Sequence, residues 1–294
     1  MNFRTDLALE AKEFIATHDI NDIASSTEES GNFSVSIIDI KSEAGMKKMG
    51  KPIGTYITVS CPPFSDASDF DSDEIELISK QITKLLPQKR NLGLVVGLGN
   101  RTITPDALGA QVVEKTLATR HIPDEIKRSA GLECLRAVAA LSPGVLGQTG
   151  VETAEITGSI VKEINPDFVI VIDALASRSV SRLGTTVQIS NVGISPGSGI
   201  MNERKELSEH SLGVPVIAIG VPTVVDAMTL ALDISGSDYE DFDKEKIEPK
   251  GRSMMVTPKE IDLIIQRASK VVALAINRAL QPDLTLDDIM SLVG

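Results

Sequence analysis

The sequence predicts an α/β protein with a mainly parallel sheet flanked by helices and additional antiparallel strands near the N-terminus. From Leu92 onward, apolar runs (Leu92 to Val96, Phe168 to Ile172, Val214 to Ile219) alternate with longer segments of helical spacing, the pattern of βαβ units. Before that point, Asn32 to Asp39 and Thr55 to Ser60 are rich in β-branched residues and partly alternating, the pattern of antiparallel strands. At 294 residues and 42% hydrophobic, the chain can bury a sizeable core, and a single α/β domain over residues 1–294 is expected.

Each element follows from its local pattern. Asp6 to Thr17 carries Leu7, Leu9, Phe14 and Ile15 at helical spacing and is expected as a short helix. The antiparallel region, residues 33–60, is stopped by Cys61-Pro62-Pro63. An acid-rich bridge (Asp66, Asp69, Asp71, Asp73, Glu74) then leads into a helix with Ile75, Ile78, Ile82 and Leu85 on its apolar face. Those acids suit the positive end of the helix and need no catalytic duty. Further helices are expected over Pro105 to Thr119, Thr153 to Ile164, Thr223 to Leu232 and Pro258 to Leu280. The last has Thr257 and Glu260 spaced as a capping box and Pro258 at the first helical position. Residues 235–252, mixed Gly, Ser, Asp, Glu and Lys, read as an acidic linker.

Composition removes several classes of function. A net charge of -12 opposes direct nucleic-acid binding, which needs clustered Lys and Arg. No apolar run approaches the roughly 18 residues of a membrane span, and Arg4, Asp6 and Glu10 stand where a signal peptide would be apolar, so an intracellular protein is expected. Cys61 and Cys134 are too few and too far apart for a disulfide framework or a cysteine zinc site, and are expected as packing thiols. With no Trp and 3% aromatics, there is no stacking platform for bases or sugars. Neither His-Glu-x-x-His nor Gly-x-Ser-x-Gly occurs, which disfavours zinc and serine hydrolases.

The best clue to chemistry is a pair of aspartates, Asp106 in Thr104-Pro105-Asp106-Ala107-Leu108-Gly109 and Asp173 after the strand Phe168 to Ile172. Carboxyl ends of strands line the ligand crevice of an open α/β sheet, so both acids could share one reaction centre. Each also has a plainer reading: Asp106 as an acid in the first turn of a helix, Asp173 as a cap for Ala176 or Ser177. Arg178 and Arg182, four apart, would share a helical face and could hold Asp173 ionised or bind an anionic group. Val96-Gly97-Leu98-Gly99-Asn100 is a weak phosphate-loop signal that a tight turn explains equally. Gly193-Ile194-Ser195-Pro196-Gly197-Ser198-Gly199, followed by Arg204 and Lys205, is either a binding wall or a surface turn.

Taken together, Gly97-Leu98-Gly99-Asn100 with Thr104 to Gly109, Asn165 to Phe168 with Ile172 to Arg178, Pro196 to Gly199, Gly213 to Asp226 and Met255 to Glu260 closely resemble the germination protease (spore endopeptidase) family of spore-forming bacteria. The likeness runs from Arg4 to the final helix. It departs after Asp226, where longer members carry an insertion and this chain has only its acidic linker. The resemblance implies a cytoplasmic endopeptidase of the forespore and spore core that degrades small acid-soluble spore proteins during germination. It further implies a homotetramer made as a zymogen and needing no cofactor. Asp106 and Asp173 would be its catalytic pair, and residues 1–6 its propeptide, removed by self-cleavage between Asp6 and Leu7. An acidic residue before the scissile bond would need cations, for which Arg178, Arg182, Arg204 and Lys205 are the candidates.

Two other readings compete. Gly97-x-Gly99-Asn100 with Asp106 and Asp173 also resembles, more faintly, the hydrogenase-maturation endopeptidases, whose corresponding acids ligate a metal with a histidine. No histidine follows the strand ending at Ile219, so the third ligand of a metal-dependent peptidase is missing. The other reading is a non-enzymatic binding protein on the same fold.

Overall fold

The computed structural model describes residues 5–13, 22–66, 72–195, 205–235 and 254–293. Helix α1 (Ala8–Glu13) precedes strands β1 (Ile23–Ser30) and β2 (Phe33–Ile40), helix α2 (Glu43–Met49) and β3 (Gly54–Ser60). Helix α3 (Ser72–Leu85) leads to β4 (Leu92–Gly97), a 3-10 turn at Thr104–Asp106 and α4 (Leu108–Glu114). Then come α5 (Asp124–Ser129), β5 (Ala137–Leu141), α6 (Leu146–Thr149), α7 (Thr153–Ile164) and the long strand β6 (Phe168–Ser177). A 3-10 turn at Val180–Arg182 precedes β7 (Thr186–Ser190), α8 (Glu209–Leu212), β8 (Val216–Asp226) and α9 (Ala227–Ser235). Strand β9 (Met255–Val256), α10 (Ile261–Leu280) and α11 (Leu286–Val293) close the chain.

The strands form one sheet in the order β1-β2-β3-β7-β8-β6-β4-β5, with β9 beside β8. Its centre, β8-β6-β4-β5, is parallel. Strand β7 is antiparallel to β8 and carries the antiparallel β3, β2 and β1 beyond it. The expected fold class holds, and the antiparallel wing is joined to the parallel centre through a strand, β7, that lay outside the expected set.

Alternation along β6 divides the core. Phe168, Ile170 and Ile172 face the large cluster under α3, α4 and α10, whereas Val169 and Val171 face a second cluster closed by Val161 of α7. Strands buried on both faces read as continuous apolar runs, which is why the central strands were recognisable in the sequence.

Several boundaries differ from expectation for local reasons. Strand β8 runs on to Asp226 where a helix from Thr223 was expected; a register irregularity between Leu175 and Ala176 on β6 accommodates Pro222 and Thr223. The following helix is instead capped by Asp226, whose Oδ2 accepts from the Thr229 amide at 3.1 Å. The segment expected as one helix from Pro105 to Thr119 divides into the 3-10 turn and α4, which ends at Glu114. At α10 the expected capping box is absent: the helix begins at Ile261, and the Thr257 hydroxyl donates to the Thr223 carbonyl at 2.9 Å. The first helix is described only over Ala8–Glu13. The acidic linker, apart from Ser235 at the end of α9, lies outside the described residues. Cys61 is buried as expected, but Cys134 is exposed and is not a packing thiol.

The chain leaves β4 toward β5 on one side and returns through β6 on the other, so the carboxyl ends of β4 and β6 form a switch point where an open α/β sheet has its crevice. Helix α4 starts directly over it, because Gly109 has no side chain: a Cβ there would lie 2.5 Å from the Ile172 carbonyl oxygen and from Leu98 backbone atoms. Gly109→Ala is expected to lower stability by about 1–3 kcal/mol through this overpacking, read as a lower denaturant midpoint at unchanged slope.

Candidate active site

Strand β4 pairs with β6 as far as Gly97 opposite Ile172. Strand β6 continues past it, so Asp173 is its first residue without a β4 partner and lies inside the strand, not after its end as expected. Its side chain is 6% exposed. The loop leaving β4 turns back over this position and presents Asp106, half-buried, from the 3-10 turn. Both aspartates line one cleft of about 490 Å³, shared with Asp6, Lys51, Ala176 and Gln188.

The plainer reading of Asp106 is present, since it stands in the first turn of the 3-10 helix before α4, whereas that of Asp173 as a cap for Ala176 is not. Asp106 Oδ2 accepts from the Asn100 amide at 2.7 Å, folding the loop onto itself, and no side chain caps either the 3-10 turn or α4. Gly99, at φ 92°, permits this closure, since a Cβ there would meet the Asp106 carbonyl oxygen at 2.0 Å. The Gly-x-Gly turn therefore serves close backbone packing around Asp106. Asp173 Oδ1 accepts from the neighbouring Ala174 amide at 2.9 Å, while the Ala176 amide, its expected capping partner, donates to Asp6 Oδ2 at 2.8 Å.

The N-terminal segment occupies the β6 edge that β4 leaves open. The Asp6 amide donates to the Ala176 carbonyl at 2.9 Å, and Leu7 is fully buried. The Gln188 amide donates to the Asp6 carbonyl at 3.0 Å and accepts from the Ala8 amide at 2.7 Å. Glu10, buried in α1, accepts from the Arg178 and Ser179 amides at 2.7 and 2.9 Å. Lys51 Nζ donates to the Thr5 carbonyl at 3.0 Å. Asp6 thus lines the two-aspartate cleft, and Leu7 after it is buried.

Of the expected cations among the described residues, Arg178, Arg182 and Lys205, none lines the cleft. Arg178 and Arg182 share no helical face: Arg178 follows β6, and Arg182 ends a 3-10 turn with its guanidinium 3.2 Å from Glu13. Lys205 pairs with Glu155 at 2.7 Å, away from the cleft. Arg204 and the segment Pro196 to Gly199 lie outside the described residues, whereas Gly193, Ile194 and Ser195 form part of the cleft wall. Lys51 and Gln188 were missed. The alternation Thr186-Val187-Gln188-Ile189-Ser190 was a readable strand signal for β7, but nothing local to Lys51 distinguishes it from Lys47 and Lys48.

Burial pushes the Asp173 carboxyl well above the usual carboxylate range, and the charges of Asp106 and Asp6 push it further the same way. Burial also raises Asp106, opposed by the hydrogen bond from Asn100. Lys51 is lowered by burial and held up by the charges of Asp6 and Glu10. A raised carboxyl binds more protons folded than unfolded, so its contribution to stability is complete below the ordinary value near ~3.9 and is lost as pH rises through the raised value. Asp173→Asn, which keeps the acceptor for Ala174 and removes the titration, is expected to melt at least about 2 °C above the parent chain at neutral pH, with the advantage vanishing near pH ~4.

The sequence matches the germination protease family over residues 5–240. The germination protease of Clostridium perfringens is 43% identical over an alignment covering 98% of each chain. That of Caldanaerobacter subterraneus subsp. tengcongensis is also 43% identical, covering 97% of this chain and 96% of its own. That of Bacillus velezensis is 36% identical over 97% and 95%. Among solved structures, the [NiFe] hydrogenase maturation protease HycI of Thermococcus kodakarensis superposes with a TM-score of 0.40 at 17% identity, covering 68% of this chain and 98% of its own. With a family match across most of its length and relatives above 40% identity along nearly all of it, this chain belongs to the germination protease family and is a peptidase of that family.

Proposed function

We propose that this chain is an endopeptidase of aspartic type that hydrolyses small acid-soluble spore proteins after an acidic residue, acting in the spore core as a homotetramer. We further propose that it is made in a longer form that shortens itself between Asp6 and Leu7. One observation carries the reading: Asp6 lines the same cleft as Asp106 and Asp173, and its carbonyl is held there by Gln188. A peptidase that cuts its own chain after an acid needs that juxtaposition, and a scaffold protein has no use for it.

The chemistry follows from the unequal surroundings of the two acids. Asp173, the more deeply buried, keeps the shared proton; Asp106, holding the Asn100 amide, ionises first. Asp106 then takes a proton from the attacking water, and Asp173 gives one to the leaving nitrogen. The acid before the scissile bond is read by the Ala176 amide and by Lys51, whose charge acts on Asp6. Lys51 lines the cleft, whereas Arg178, Arg182 and Lys205 do not. The metal-dependent alternative finds no group of three His, Cys, Asp or Glu side chains able to hold an ion among the described residues.

Purified full-length protein is expected to lose residues 1–6 on incubation, seen by intact mass, and chelators are expected to leave the rate unchanged. Asp106→Asn and Asp173→Asn, folded by thermal melt, are expected to slow the loss by roughly 10²- to 10⁴-fold. Shortening of either variant at the parent rate would overturn the pair. Lys51→Met is expected to slow the same step by about 10- to 100-fold, as loss of a charge-assisted contact does. In an Asp6→Asn background the same substitution is expected to cost under about threefold, because the charge it reads is already gone.

A further inference from the structure

We propose that Gln188 is a further catalytic residue of this peptidase, its side-chain N–H binding the oxygen that turns negative when the peptide bond is attacked. The inference rests on the reading of Asp6–Leu7 as a bond that is cut. Gln188 sits in the middle of β7, opposite Thr58 of β3 and Gly220 of β8, so its backbone is held from both sides. Its side chain is 8% exposed and lines the cleft with Asp106 and Asp173.

The orientation of the amide follows from its partners. A backbone N–H can only donate, so the group 2.7 Å from the Ala8 nitrogen is Oε1, which leaves Nε2 facing the Asp6 carbonyl oxygen at 3.0 Å. One side chain therefore bridges residue Leu7, holding the carbonyl of the peptide unit before it and the amide of the unit after it. The nitrogen between them, that of Leu7, donates to the Thr5 hydroxyl at 3.0 Å.

When a water oxygen bonds to the Asp6 carbonyl carbon, the water's proton passes to the ionised carboxylate and the carbonyl π pair moves onto the oxygen. The negative charge arrives on the atom that already accepts from Gln188. The carbonyl then re-forms as the bond to the Leu7 nitrogen breaks, that nitrogen taking the proton of the second carboxyl. A neutral donor locked in place strengthens as charge develops at its acceptor and costs no reorganisation, worth about 10²- to 10³-fold in turnover for a single side-chain amide.

Gln188→Glu separates this role from a simple grip, because it keeps the acceptor for Ala8 and loses the donor for Asp6. In the full-length chain, the first-order appearance of a Leu7 N-terminus is expected to fall about 10²- to 10³-fold at neutral pH. The ratio to the parent chain is expected to recover as pH falls and the new carboxyl gains a proton to donate. A peptide of residues 1–12, offered to parent and variant protein each produced as the shortened chain beginning at Leu7, is expected to show the loss in kcat with KM within about threefold. Self-cleavage within threefold of the parent at neutral pH, or a loss confined to KM, would overturn the role and leave Gln188 as a clamp. Should Gln188→Glu fail to melt cooperatively, Gln188→Met decides by the same kcat and KM criteria. Asp173→Asn run alongside keeps the two readings apart: if it cleaves at the parent rate, the aspartate-pair reading fails whatever Gln188 does.

Discussion

The burial of the Asp173 carboxyl, to which the charge of Asp106 adds in the same direction, governs the rest of the site. It arises because β6 outruns β4 at the carboxyl edge of the sheet, which puts Asp173 inside a buried strand with the turn carrying Asp106 folded over it. Burial raises both carboxyls and the charge of Asp106 raises Asp173 further, so Asp173 keeps its proton at pH values where a lone surface carboxyl has lost its own. The fold meets that cost elsewhere. Large apolar clusters on both faces of β6 hold the strand rigid, and Thr223 ties the irregular stretch of β8 to the Pro105 carbonyl at 2.8 Å beside the Asp106 turn.

The open edge of β6 matters as much as the charges. An unpaired strand edge presents backbone donors and acceptors that some other segment must satisfy. Here the N-terminal segment does so, through the reciprocal contacts of Asp6 with Ala176 and those of Glu10 with Arg178 and Ser179. The same edge could receive any extended chain with an acid at the right place, which links the packing of this segment to recognition of a substrate. Asp6 also brings a third carboxylate toward Asp173, so the segment that fills the cleft raises the proton affinity of the group it lies against.

Legibility in the sequence followed the range of the physics. Strands buried on both faces announce themselves as apolar runs, and α7 was read over the residues it occupies because its periodicity is local. Boundaries were lost where a contact distant in the chain overrode a local signal: Thr257 and Thr223 looked like helix starts and instead bond to β8 and to the Asp106 turn. The polar, mostly exposed β1 gave no hydrophobic alternation to read. The cation that lines the cleft was hidden for a similar reason. Arg178 and Arg182 lie near Asp173 in the chain, whereas Lys51 reaches the cleft from the loop before β3, more than a hundred residues away.

The sequence by itself determined the layered α/β class, the parallel centre and the placing of two aspartates next to buried apolar runs, because each depends on periodicity within a few residues. Only the tertiary structure decided that these aspartates share a cleft, that β7 brings Gln188 to it, and that Asp6 of the chain itself lines it. Those are consequences of strand order and of one strand outrunning its neighbour. Neither leaves a trace in local composition, since which edge stays open depends on the pairing of segments far apart along the chain.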